Sequence, residues 1–130
     1  MAYYLDTSAL VKLVVAEAET EALRQWLGEE DRRPVAGDLV RTELMRAVRR
    51  VAPDRLVRVR EVLDGLTLVA LSTSVFHEAG RLEPPELRSL DALHLAVALS
   101  LGDDLDGIVA YDDRFVAAAE AHGIPALGPA

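Results

Sequence analysis

A three-layer α/β/α sandwich around a central, mainly parallel β-sheet is the fold that this chain of 130 residues predicts. Three features carry the expectation. Short apolar runs alternate with longer stretches of helical spacing, the alternation persists from end to end, and no internal repeat or low-complexity tract interrupts it. The length suits one domain spanning residues 1–130, and a hydrophobic content of 51% is enough to build a core for it.

The elements follow in order. Tyr3-Tyr4-Leu5 reads as the first strand. It runs into Asp6-Thr7-Ser8, whose side-chain oxygens can cap a helix over residues 9–15. A second helix over 19–27 carries Leu23, Trp26 and Leu27 at helical spacing and ends at Gly28. Residues 33–36 form a second strand, after which Asp38 can cap a helix over 39–50 with Leu44, Ala47, Val48 and Val51 on one face. Pro53 stops that helix and opens the next, which runs to about Leu63. Residues 67–71 read as the third strand, and Ser72 or Ser74 caps a helix through Leu82. Pro84-Pro85 breaks the chain before Ser89 starts the most apolar helix, over 90–101. Apolar residues nearly all round it predict burial on all sides. A fourth strand over 107–111, a helix over 112–122 and a short strand over 124–127 complete the pattern.

Composition narrows the chemistry. Without cysteine there is neither a disulfide framework nor a thiolate metal site, and three scattered histidines make a His-based zinc site a poor expectation. With no basic leader and no long uncharged apolar run, the expectation is a soluble, cytoplasmic protein with no membrane contact. The net charge of -8 argues against a general nucleic-acid coat protein. Its distribution is uneven, however. Between Arg32 and Arg60 stand nine arginines against Asp38, Glu43 and Asp54, so that segment is +6 and the rest of the chain is -14. Such a segment can hold a polyanion, or it can be a solvated helical face laced with ion pairs.

Four carboxylates stand out. Ligands of open α/β folds gather at the carboxyl ends of parallel strands. Asp6 follows the first strand directly, and Asp112 follows the fourth. Glu43 and Asp91 lie near helix starts from which the same edge is within reach. Asp91 is the informative one, because a lone carboxylate in the first turn of so apolar a helix is costly to bury unless a cation or the helix N-terminus offsets it. Clustered carboxylates raise one another's pKa unless neutralised. Hard oxygen ligands without cysteine or histidine select Mg²⁺ or Mn²⁺, and such an ion would support hydrolysis of a phosphodiester to a 5′-phosphate and a 3′-hydroxyl. Each acid also has a plainer role open to it. Asp6 and Asp112 can cap the helices that follow them, Glu43 can pair with Arg41 or Arg46, and Asp91 can cap its own helix with Ser89.

At these residues the chain resembles the PIN-domain proteins, specifically the VapC toxins of bacterial type II toxin–antitoxin systems. The resemblance rests on Tyr4-Leu-Asp-Thr-Ser-Ala-Leu-Val-Lys-Leu13, Arg41-Thr-Glu-Leu44, Leu90-Asp-Ala-Leu-His-Leu-Ala96 and Ala110-Tyr-Asp-Asp-Arg-Phe115, in the family's order and spanning almost the whole chain. It implies a PIN fold and Mg²⁺-dependent endoribonuclease activity on an RNA substrate. It also implies a VapB antitoxin that blocks the site, a homodimer, and contact with DNA only through the antitoxin. Family roles fall on Asp6, Glu43, Asp91 and Asp112 as metal-binding and catalytic acids, with Asp6 and Asp91 as the surest ligands. Two positions depart from the family pattern: Ala110 and Gly37 stand where a hydroxyl residue is frequent, which predicts a looser surrounding for a metal.

Other residues invite readings. His94, three residues after Asp91 and on the same helix face, is either a ligand or a hydrogen-bonded helix histidine. Tyr3, Tyr4 and Tyr111 can stack bases or fill core, and Trp26 suits core or an interface. Leu10, Val11, Leu13, Val14, Leu23 and Leu27 form either ordinary core or a groove for an antitoxin helix. A catalytically weak PIN-fold binding module, acting mainly through antitoxin pairing, is the alternative to the enzyme. A phosphatase of the haloacid dehalogenase type is set aside, because its second Asp would fall on Ser8.

Overall fold

A computed structural model describes residues 1–130. Five strands form one sheet: β1 (Ala2–Leu5), β2 (Arg33–Gly37), β3 (Thr67–Val69), β4 (Leu105–Val109) and β5 (Ala126–Leu127). Every pairing is parallel, in the order β3-β2-β1-β4-β5, so the sheet is wholly rather than mainly parallel. Seven α-helices connect them: α1 (Thr7–Val14), α2 (Thr20–Glu29), α3 (Val40–Val51), α4 (Leu56–Asp64), α5 (Thr73–Arg81), α6 (Ser89–Ser100) and α7 (Asp113–Ala121).

The strand order dictates the layers. The chain moves from β1 through β2 to β3 in one direction, then returns past β1 to β4 and β5. Right-handed crossovers therefore put α1 to α4 on one face and α5 to α7 on the other. The side chains agree. Leu5, Ala36 and Val109 pack with Leu10, Leu23, Leu44, Val48 and Val59 of the first four helices. Tyr4, Ile108 and Ala110, which point the opposite way along the same strands, pack with Leu95, Val97, Phe115 and Ala119 of α6 and α7. This is the three-layer sandwich that the alternating pattern predicts.

Several element ends differ from the sequence reading, each for a local reason. β4 starts at Leu105, two residues early, because Gly102 adopts a left-handed φ of 57° that turns the chain straight from a short 3-10 segment into the strand. Asp38 does not cap α3; its carboxylate takes the Arg41 Nε at 2.9 Å instead, and the cap position passes to Leu39. Gly28 lies within the last turn of α2 rather than ending it. Val51 points to solvent at the end of α3, where the chain turns away toward Pro53. Ser72, one of the two hydroxyls expected to cap α5, does so by accepting from the Val75 amide.

α6 is buried along most of its length, with Leu95 fully inaccessible between the sheet and its helical neighbours. Truncating it leaves a cavity that close-packed surroundings cannot fill. Leu95→Ala is expected to lower the unfolding free energy by about 2–5 kcal/mol, read by urea denaturation. A loss below about 1 kcal/mol would show that α6 is not packed as described.

Candidate active site at the carboxyl edge of the sheet

The strand order reverses between β1 and β4, the point at whose carboxyl edge open α/β sheets place their ligands. Asp6 stands at that edge. Its amide donates to the Val109 carbonyl at 3.2 Å, which extends the β1–β4 ladder by one residue and fixes the backbone from which its side chain projects. The carboxylate is buried, and its Oδ1 accepts from the Ser8 hydroxyl at 2.6 Å and the Ala9 amide at 3.2 Å. Asp6 is thus the N-cap of α1, as its plainer reading holds. Ser8 also accepts from the Tyr111 amide at 2.9 Å, which ties the beginning of α1 to the chain leaving β4.

Glu43 comes from the first turn of α3 and is half-buried. It pairs with neither Arg41 nor Arg46. Its Oε1 receives the Thr7 hydroxyl at 3.1 Å and lies 2.5 Å from His94 Nε2. His94, buried on α6, places Nδ1 2.6 Å from the Tyr4 hydroxyl, which in turn accepts from the Gly37 amide at 3.0 Å. His94 is therefore the hydrogen-bonded helix histidine of the two readings, and its two partners come from β1 and α3. Sequence reasoning missed its bond to Glu43; the only signal was a histidine on the same helix face as Asp91. Tyr4 is core, and burial raises its phenol well above the ordinary value, so the hydroxyl keeps its proton.

Asp112 is exposed and caps α7, its Oδ1 accepting from the Arg114 and Phe115 amides. Asp91, half-buried in the first turn of α6, makes no hydrogen bond of its own. The cap role shared with Ser89 goes to Arg88 instead, which has no side-chain cap bond.

The four acids feel one another. Burial pushes Asp6 up to about 6; the Ser8 and Ala9 bonds pull it back, and the Asp112 charge raises it further. Asp91 is raised by burial, then by Asp112 and, more weakly, by Glu43, while Arg88 draws it down. The edge thus gathers negative charge at four positions. In the arrangement as it stands, no three carboxylate or imidazole groups converge closely enough to hold one ion between them. The donor set nonetheless fits a hard cation. Asp6, Glu43 and Asp112 each engage one oxygen with protein donors and leave the second without a protein hydrogen bond, and Asp91 leaves both.

Two positive features flank the acids. A cavity of about 370 Å³ opens beside Asp91, with Arg88 and Arg114 at its rim and Leu87, Ala117, Ala118 and Ala121 among its walls. On α3, one and two turns beyond Glu43, exposed Arg46, Arg49 and Arg50 line a second hollow of about 280 Å³. The rest of the basic segment is partly neutralised or structural. Arg41 and Arg58 pair with Asp38 and Glu61, and Arg32 lies 4.2 Å over the half-buried Trp26 ring. Of the early apolar residues, Leu10, Val14 and Leu23 are core, while Leu13 and Leu27 line a groove between α2 and α4.

Asp6 ionises near 3.8 when unfolded and near 6 when folded, so the folded state binds the extra proton between those values. Stability therefore falls as pH rises through that window, by up to about 3 kcal/mol. Asp6→Asn keeps the Oδ1 acceptor and removes the charge. In the metal-free protein it is expected to be the more stable form at pH 7.5, with the advantage vanishing near pH 4, as read by urea titrations at both values. An equal gap at both pH values would refute the assignment.

Comparison with known proteins places the chain in a family. The family model described as PIN domain matches residues 3–121. Ribonuclease VapC46 of Mycobacterium tuberculosis is 43% identical over 128 residues, covering 98% of both chains. The crystal structure of M. tuberculosis VapC20, described as a sarcin-ricin loop cleaving toxin, superposes with a TM-score of 0.77 at 18% identity, over 99% of this chain and all of that one. VapBC2 from Rickettsia felis, solved bound to a DNA fragment from its promoter, gives 0.70 at 15% identity with full coverage of both chains. The two structures show the shared fold; the family-model match and the close relative show that this chain belongs to the PIN-domain family, among the VapC ribonucleases.

Proposed function

We propose that this protein is a metal-dependent endoribonuclease, the toxin of a type II toxin–antitoxin pair, with Asp6, Glu43, Asp91 and Asp112 as its catalytic acids. The observation that carries the reading is a buried Asp6 at the strand-order reversal, electrostatically coupled to Asp112, with Asp91 coupled to Asp112 and Glu43 at the same edge. Family membership supplies the nuclease class.

Asp6 and Asp91 would hold Mg²⁺ or Mn²⁺ most directly, with Glu43 and Asp112 in support. Such an ion supplies neutralisation of the acid edge and activation of the attacking water. The chain's own residues do the remaining work. Ser8 and the Ala9 amide fix one oxygen of Asp6 and leave the other without a protein donor, and Thr7 with His94 does the same for Glu43. Arg88 and Arg114 offer their charge to a phosphate beside Asp91, and the alanine wall behind them accepts an apolar base face. Arg46, Arg49 and Arg50 extend the track for backbone phosphates along α3.

An acidic protein with an exposed acid edge also suits control by a partner. The named likenesses include a VapB–VapC assembly, which supports a VapB-type antitoxin as that partner, with DNA reached through the antitoxin. The α2–α4 groove lined by Leu13 and Leu27 suits an amphipathic helix of such a partner. A homodimer is the family's expectation. No helix is long and apolar enough to cross a membrane.

Purified protein is expected to cleave RNA with Mg²⁺, to stop in EDTA and to lose activity on Asp6→Ala; cleavage that survives both would sink the mechanism. Arg88→Ala or Arg114→Ala is expected to reduce kcat/KM by about tenfold and to flatten the log–log salt dependence of RNA binding by about 0.7, the value of one lost phosphate contact on a single strand. An unchanged salt slope would remove these arginines from the substrate track.

A further inference from the structure

We propose that Tyr4 and His94 are positioning residues for Glu43, linked as Gly37–Tyr4–His94–Glu43, and that residue 37 is glycine because the tyrosine hydroxyl occupies the space a side chain would need. The proposal rests on Glu43 belonging to the active site, but its geometry can be tested without RNA.

The polarity of the chain follows from its first member. The Gly37 amide can only donate, and it donates to Tyr4 Oη at 3.0 Å. The hydroxyl has one proton of its own, and the acceptor it meets is His94 Nδ1 at 2.6 Å. If Nδ1 accepts, the imidazole proton lies on Nε2 and points at Glu43 Oε1, 2.5 Å away. Every donor then has an acceptor. The reverse tautomer would set an N–H against the Tyr4 hydroxyl and a bare nitrogen against a carboxylate oxygen. With Thr7 donating to the same Oε1, Glu43 is held by two donors on one oxygen, and Oε2 is left for a cation.

Gly37 completes the argument. A Cβ built there would stand 3.0 Å from Tyr4 Oη, closer than real Cβ atoms normally approach, and 3.4 Å from Val97 Cγ2. Tyr4 is fully buried and packed, so a side chain at position 37 would have to displace the hydroxyl by a few tenths of an ångström and strain its bonds to the Gly37 amide and His94. Tyr4 and Gly37 are thus matched in size.

Nitrogen-15 NMR of the metal-free protein is expected to show His94 as the Nε2–H tautomer, and Tyr4→Phe to shift the Nδ1 resonance as that nitrogen loses its donor. Calorimetry with Mn²⁺ is expected to find binding weakened about tenfold in Tyr4→Phe, with the fold retained by circular dichroism. Gly37→Ala is expected to weaken Mn²⁺ to a similar extent in the wild-type background and to add little in the Tyr4→Phe background, where the crowded oxygen is gone. Losses that add would show that the two positions act independently. The proposal is overturned by an Nδ1–H tautomer, by unchanged Mn²⁺ affinity in folded Tyr4→Phe, or by additive effects. If the tautomer and the coupling hold while RNA is cleaved without metal, the relay stands and the metal-dependent reading of the site falls.

Discussion

Desolvation of the Asp6 carboxylate is the constraint on which the acid edge depends. β1 is the central strand, hydrogen-bonded on both sides, and the residue that leaves it has no route to solvent except over the sheet's end. A carboxylate there cannot be hydrated as it is in the unfolded chain, and its pKa rises accordingly. The local structure answers with donors rather than with a cationic side chain. α1 begins immediately afterwards, so its first amides and the Ser8 hydroxyl face the charge. These bonds offset only part of the cost. An arginine or lysine paired with Asp6 would offset more, but on the proposed function it would fill the space left for a metal and a phosphate. A partly unsatisfied acid is what a cation-binding edge requires, and the fold tolerates it because the surrounding apolar layers are complete.

Those layers meet at the same edge. α1 to α4 cover one face of the sheet, α5 to α7 the other, and two apolar clusters stay separate across it. Between them, over the ends of β1 and β2, runs the polar link from Gly37 through Tyr4 and His94 to Glu43. His94 belongs to one layer and Glu43 to the other. A buried imidazole in an otherwise apolar helix is expensive unless both nitrogens are engaged, and here both are. The link sets the spacing of α3 and α6, the two helices that bring Glu43 and Asp91 to the edge. Full satisfaction also makes it rigid, which serves a site that must hold several like charges in fixed relation.

The parts of this arrangement that were legible in the sequence are those set by local rules. Asp6 and Asp112 follow strands, so the strand-end rule places them without knowledge of the sheet order. The alternation of strands and helices gives the layers, and an α6 apolar all round gives its burial. What sequence could not show is contact between distant residues. His94 and Glu43 are 51 positions apart, and nothing in either helix names the other. The fit of Gly37 to the Tyr4 hydroxyl, 33 residues earlier, is likewise invisible in either segment. The arginine segment looked uniform, whereas ion pairs with Asp38 and Glu61 separate Arg41 and Arg58 from the exposed Arg46, Arg49 and Arg50. Element ends shifted where a side chain found a better partner than the backbone, as Asp38 did with Arg41.

Charge distribution gives the acid edge a second consequence. The protein carries a net charge of -8, and its four site acids lie together, so a polyanion approaching that edge without a cation meets repulsion at the point where it must bind. The arginines do not remove this repulsion; they flank it, Arg46, Arg49 and Arg50 on α3 and Arg88 with Arg114 at the cavity beside Asp91. Backbone phosphates can therefore be held on either side while the central phosphate is admitted only once the acids are neutralised. On the proposed function, a divalent ion would thus serve binding as well as chemistry. A partner that supplies a positive group to the same acids would close the site by the same electrostatics that metal and RNA use to open it, so inhibition needs no distortion of the fold.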